Sequence, residues 1–166
     1  MLEQRFGWTG LGIDYNQNFV TEYGQHRTNP CICVDATKVD YDKLLAKIAV
    51  DGVVDYLQVD CEPPKVTFDV LMCVPLDKYK FRVISYEHDY YADVSRSYRA
   101  KSRRYLQSFG YQLVVPDVSV DGISSFEDWW VHPDLVDEKT IEALKSPYPN
   151  GDAVATNIAE KFIRAK

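Results

Sequence analysis

Two rhythms alternate along this chain. Short apolar runs that end in acids are separated by stretches whose apolar positions recur at helical spacing. Residues 11–14 and 31–35 are two such runs, predicted as strands, and each stops on an aspartate, Asp14 and Asp35. Residues 56–59 (Tyr-Leu-Gln-Val) form the third, downstream of Gly52 and running into Asp60, Cys61, Glu62, Pro63 and Pro64. A buried parallel strand reads this way. The prolines cannot extend a ladder and suit the first turn of a helix, so the strand should end at about Asp60. Residues 81–87 are a fourth strand, closing on Glu87, His88 and Asp89.

Helical spacing fills the gaps. Phe19, Val20 and Tyr23 predict a helix over 18–26. Asp40 can cap a helix in which Tyr41, Leu44, Leu45 and Ile48 fall at i, i+3, i+4 and i+7, with Gly52 as its stop. Residues 64–74 predict a short helix burying Phe68, Leu71 and Met72. Residues 92–109 predict a long one, with Val94, Tyr98, Tyr105, Leu106 and Phe109 inward and Gly110 as its stop. Arg96, Arg99, Lys101, Arg103 and Arg104 occupy the outer face, which reads as solvated; the alternative is a docking strip for an acidic substrate. Residues 111–115 and 126–131 predict a closing pair of strands, and residues 137–145 and 152–164 two last helices. At the front, residues 2–6 look like the last turn of a helix stopped by Gly7, as though an earlier element were absent.

Strand–helix alternation followed by two strands implies an α/β fold: a mostly parallel sheet, helices on both faces and an antiparallel closing pair. At 166 residues the chain is expected to form one domain. A net charge of −6 argues against broad binding to nucleic acid or an anionic membrane. Cys31, Cys33, Cys61 and Cys73 contain no Cys-x-x-Cys pair, and no His cluster completes a zinc site. Reduced, partly buried thiols and a soluble, cytoplasmic protein are the expectation. No run approaches the length of a membrane span, and residues 1–5 do not lead into a signal sequence.

In open α/β sheets ligands bind outside the carboxyl ends of the strands, which places Asp60 and Glu62 at the working edge. The plainer alternative is that they cap the following helix. His88, between Glu87 and Asp89, is the side chain best suited by intrinsic acidity to act as a general base, against the alternative of a hydrogen-bonded structural histidine. A further version, less favoured, uses Asp60, Glu62 and Asp89 as hard oxygen ligands for Mg²⁺ or Ca²⁺. His132, with Glu127, Asp128, Trp129 and Trp130, is expected to pack, with the two tryptophans on opposite faces of a strand.

The ordered set of strand ends resembles the Rossmann-like S-adenosylmethionine-dependent methyltransferases, and more narrowly the FkbM-type family. The residues that carry the resemblance are Gly7-Trp8-Thr9-Gly10-Leu11-Gly12-Ile13-Asp14, Val34-Asp35-Ala36, the stretch from Val54 to Glu62, Val83 to Asp89, and Phe109-Gly110-Tyr111. It spans roughly residues 5 to 132, leaving 133–166 as a helical extension. The resemblance implies that Asp14 and Tyr15 meet the ribose of S-adenosylmethionine and that Asp35 and Ala36 meet its adenine. It implies that Asp60, Glu62, Glu87, His88 and Asp89 face the methyl donor and the acceptor, a hydroxyl of a small molecule or saccharide. The family's first strand and Gly-rich turn, which would lie between the strands at 11–14 and 56–60, have no counterpart here, and Pro63–Pro64 stands where a Gly-containing segment is common. Impaired cofactor binding follows from that, with a second copy as one means of covering the open sheet edge. The rival readings are a non-catalytic interaction module that keeps the fold, and a metal-dependent hydrolase using the same carboxylates.

Overall fold

The structure, a computed structural model, describes residues 2–49 and 51–145 and the backbone of Ala153–Val154. It is α/β, and the chain divides into two compact units, 1–41 and 42–166, each with its own sheet.

In the first unit, α1 (Leu2–Phe6) stops at Gly7, whose φ of +66° is the left-handed conformation that suits glycine. β1 (Gly12–Asp14) and β2 (Cys31–Cys33) pair in parallel, connected through α2 (Gln17–His26). Asn16 caps α2 by accepting the Asn18 N–H. Gly12 lies opposite Cys31, and a Cβ there would sit 3.0 Å from the Cys31 sulfur, so the close strand approach depends on its missing side chain. Glu3 accepts from the Thr28 and Asn29 N–H groups and the Thr28 hydroxyl, tying α1 to the segment that enters β2.

The second unit runs α3 (Tyr41–Ile48), β3 (Val53–Val59), α4 (Pro64–Cys73), β4 (Lys80–Glu87), α5 (Tyr98–Ser108), β5 (Gln112–Ser119), β6 (Glu127–Val131), α6 (Glu138–Lys145) and β7 (Ala153–Val154). Its strand order is β3-β4-β6-β5-β7. β3 and β4 are parallel; β6 runs antiparallel to both β4 and β5. The expected closing pair is therefore present, with the later strand of the pair slotted inside. Alternation along the strands builds two faces. Leu57, Ile84 and Trp130 share one face, and Tyr86 and Asp128 continue it. α5 covers that face, reaching Asp128 through Arg103. Val83, Val131 and Trp129 lie on the other face, packed with Val115 and with Ile141 of α6. Helices thus cover both faces, and Trp130 and Trp129 point opposite ways as expected.

Four expectations need correction. The helix expected over 92–109 begins only at Tyr98. Asp93 accepts the Tyr98 and Ser95 N–H groups and the Ser95 hydroxyl, so an aspartate takes over donors that an earlier helical turn would use. Val94, expected inward, is consequently 101% exposed. Met72 also faces out; Thr67, Val70 and Leu71 are the buried residues of α4. The strand expected to stop at Val115 continues through Pro116 to Ser119, because the proline sits where the β5–β6 register shifts and its missing N–H breaks no ladder bond. Of the four free thiols, Cys33 and Cys73 are exposed. The helix expected over 152–164 lies outside the described residues.

Candidate functional site

The carboxyl-terminal edge of the second sheet carries two clusters of acids, one on each face. Register places them. Val59 pairs with Tyr86, so Asp60, the next residue, lies beside Glu87, and Glu87 pairs directly with Glu127. Paired residues on neighbouring strands project to the same face. Asp60, Glu87 and Glu127 therefore form a row of three carboxyl groups across β3, β4 and β6. Asp89 adds a fourth. It is 3% exposed, its φ is +41°, and its Oδ1 has no hydrogen-bond partner among the described residues.

The electrostatics of the row follow from that crowding. Burial pushes the Glu87 carboxyl up to about 9, helped by hydrogen bonding and repulsion from Asp60 and then Asp89. Burial likewise raises Glu127, with Asp60 adding to it against the hydrogen bond from the Trp129 indole. Tyr91 is raised by Asp89, with burial, Glu87 and Glu62 contributing. Three of the five residues expected to face donor and acceptor, Asp60, Glu87 and Asp89, thus lie together.

His88, the fifth, belongs to the opposite face. Its side chain is fully buried. Nδ1 accepts the Tyr90 N–H at 3.1 Å, so the neutral ring carries its hydrogen on Nε2, which faces Asp128 at 3.5 Å and Asp117 at 3.7 Å. This geometry fits the structural alternative, not a base that meets a hydroxyl at the rim. Around it, Arg103 grips both oxygens of Asp128 at 2.8 and 2.7 Å and reaches Asp117 at 3.0 Å. Arg99 bonds Asp117 at 2.7 Å while lying 3.7 Å over the Tyr90 ring. The Asp117 N–H also donates to Asp128. Burial alone would raise Asp128, but the Arg103 and His88 contacts outweigh it and hold the carboxyl down to about 2. Two of the five basic residues expected on a solvated helix face are thus turned inward to this cluster.

Ligand atoms of His88, Asp117 and Asp128 lie within 4.8 Å of one another, a spacing that could hold a metal ion. The chemistry of the donors argues otherwise. Nε2 has no lone pair to give while Nδ1 accepts from Tyr90, and the aspartate oxygens are already bound by guanidinium groups.

In the first unit, Asp14 ends β1 and Asp35 lies two residues beyond the end of the parallel β2, and the Val34 N–H bonds the Asp14 carbonyl at 2.9 Å. Asp14 Oδ1 accepts the Asn16 N–H, and Asp35 Oδ1 accepts the N–H and hydroxyl of Thr37, capping the 3₁₀ turn Ala36–Lys38. The second oxygen of each carboxylate lies outside those bonds. Tyr15 is 79% exposed beside Asp14, and the Ala36 carbonyl accepts the Tyr41 hydroxyl. His132 packs edge-on against Tyr111 at 5.0 Å, and its Nδ1 accepts the Asp134 N–H. Burial pushes this histidine below its ordinary value. It is a packing residue, as expected.

Sequence reasoning missed Glu127 as a rim acid, and Asp117, Arg99 and Arg103 as partners. Pro116 inside a strand was the available signal for the bulge that presents Asp117. Nothing in the sequence marks which arginines of α5 turn inward. The chain matches no family model, no curated protein and no solved structure. Among the described residues, no helix is long and apolar enough to cross a membrane.

Proposed function

We propose that this chain is an S-adenosylmethionine-dependent methyltransferase-like domain of Rossmann-like type, methylating a hydroxyl of a small molecule or saccharide. The observation that carries the reading is the strand order. Parallel β3 and β4 are followed by an antiparallel closing pair with β6 inside β5, and acids stand at the carboxyl ends of β1, β3 and β4 and just beyond the end of β2. β3 is the outermost strand of its sheet, and β1 pairs only with β2 among the described residues.

The residues present suit an adenosine-bearing ligand. A carboxylate with a spare oxygen can accept from a ribose hydroxyl, as Asp14 could, or from an adenine amino group, as Asp35 could. Bound there, the cofactor would supply an electrophilic methyl group. The chain's own part is to orient the acceptor and take its hydroxyl proton. Asp60, exposed at the rim, is assigned that role; Glu87 keeps its own proton at neutral pH and would donate a hydrogen bond to the acceptor. His88 is assigned the support of Asp128.

Isothermal titration of the folded chain with S-adenosylmethionine tests this. Binding that weakens at least tenfold in Asp14→Asn and in Asp35→Asn supports it. No heat from a chain with a native circular dichroism spectrum overturns it in favour of a non-catalytic module.

A further inference from the structure

We propose that His88 is a pH-sensitive latch on the segment 89–97, which leaves β4 at the carboxyl edge of the sheet. The neutral ring holds the segment in place by accepting the Tyr90 N–H at Nδ1, and protonation releases it. The inference stands on this contact and is independent of the methyl-donor reading.

Three observations lead to it. The first is the hydrogen inventory of the ring. His88 is wholly buried, and its Nδ1 accepts the Tyr90 N–H at 3.1 Å. An imidazole takes its second proton at the nitrogen that was accepting, so the cationic ring would set one N–H against another. Two opposed donors form no hydrogen bond, and one of them must leave. The ring is fixed on its other sides. Its own backbone N–H bonds the Phe126 carbonyl at 2.7 Å, and Nε2 stands 3.5 Å from Asp128 and 3.7 Å from Asp117. The segment that carries Tyr90 is therefore the part that moves.

The second observation is how the rest of the segment is held. Tyr90 lies under the guanidinium groups of Arg99 at 3.7 Å and Arg96 at 5.0 Å, and Asp93 accepts the Tyr98 N–H. The Ala92 and Asp93 N–H groups bond the Asp89 carbonyl, within the segment itself. Its outer part faces solvent, with Tyr91 58% and Val94 101% exposed. The third is strain. Among the described residues, the non-glycine residues at positive φ are Asp89, Arg96 and Asp117, at +41°, +49° and +53°. Asp89 follows His88, Arg96 stacks on Tyr90, and Asp117 faces Nε2. Such strain persists only where its surroundings over-determine it, and release of Tyr90 lets Asp89 and Arg96 relax.

The charged groups facing the ring are Asp117 from β5, Asp128 and, more remotely, Glu127 from β6, and Arg103 and Arg99 from α5; Glu87 and Asp89 flank it in sequence. Two aspartates and two guanidinium groups offset one another, so the hydrogen at Nδ1 decides the outcome. The released form binds one proton more than the latched form, so the latch closes as pH rises. An imidazole changes charge between about pH 8 and pH 5. Through that interval Asp128, at about 2, stays ionised and Glu87, at about 9, stays protonated. Glu127, pushed up by burial, is the rival titrating group.

Nuclear magnetic resonance of the nitrogen-15-labelled full chain tests this from about pH 8 to pH 5. Ring nitrogen shifts report whether His88 Nδ1 carries a hydrogen, and hydrogen exchange reports whether the Tyr90 amide is held. Corrected for the intrinsic pH dependence of exchange, Tyr90 protection should fall at least tenfold in step with protonation of Nδ1. His88→Asn places a carbonyl oxygen where Nδ1 stands but does not titrate, so it should keep Tyr90 protected down to the acid end. Glu127→Gln should lose protection as the parent does. The proposal is overturned if the ring takes its proton while Tyr90 protection is unchanged, or if Nδ1 stays bare throughout. It is also overturned if His88→Asn loses protection on acidification as the parent does. The parent's own ring and amide signals decide the matter should His88→Asn fail to fold.

Discussion

The two acid clusters at the edge of the second sheet lie back to back, separated by one turn of the strand pleat. On the α5 face, Asp128 is fully buried yet ionised, because Arg103 supplies two parallel hydrogen bonds and Arg99 neutralises its neighbour Asp117. On the other face, Asp60, Glu87 and Glu127 are less buried but have no basic partner among the described residues, and Glu87 answers by keeping its proton. Burial is the largest influence on both Asp128 and Glu87, and it acts in the same direction on each. What separates them is the partner: guanidinium groups on one side, more carboxyl groups on the other. A compensated cluster keeps its acids ionised, whereas a row of acids with no counter-charge beside it holds a proton.

The largest effect should come from breaking the compensated side. Arg103→Met leaves Asp128 buried without its main counter-charge and should cost about 3–5 kcal/mol in urea denaturation. A loss below about 1 kcal/mol would mean that Asp128 simply takes up a proton and that the contrast between the faces is shallow.

The pH dependence should then have opposite sign on the two faces. Asp128 sits near 2 in the folded chain, below its ordinary 3.8. The unfolded chain therefore binds its proton first, so the stability Asp128 contributes is complete above about 4 and drains away as pH falls toward 2. Glu87 sits near 9, above its ordinary 4.5. Between those values the folded chain holds the extra proton, so its contribution shrinks as pH rises from about 4.5 to 9. Urea midpoints recorded from pH 2.5 to 9 should show both limbs, and Glu87→Gln should flatten only the alkaline one.

At a single pH the second face gives a smaller signal. Near pH 8, Glu87→Gln should raise stability by a few tenths up to about 1 kcal/mol, the scale of relieving like groups on paired strands. Destabilisation would show that the row is satisfied as it stands. Smallest of all, Lys65→Ala removes an exposed i,i+4 pair with Asp69 and should leave the denaturation midpoint unchanged within error.

Much of this edge was legible in the sequence because strand ends announce themselves. Pro63–Pro64 stops β3 at Val59, with Asp60 next, and Gly52 with Gly110 brackets the helices on either side. The pairing of Trp129 and Trp130 to opposite faces follows from the two-residue period alone. The start of α5 was not legible, because the apolar spacing runs on through Val94 while Asp93 captures the amides that would have begun the helix. Nor was the division of α5's arginines, since helical spacing says which residues share a face but not what that face meets.

Composition, period and breaker residues determined by themselves that this is an α/β chain, where most elements lie, and that acids cluster at the strand ends. Those signals are local, acting within a few residues of backbone. Only the tertiary structure decided that Glu127 completes a row with Asp60 and Glu87, that His88 turns away from Glu87 and Asp89, and that Arg99 and Arg103 neutralise one face and leave the other bare. Cross-strand register and the landing of a helix on a sheet join residues far apart in the chain, and the charge state of an acid depends on which partner arrives there.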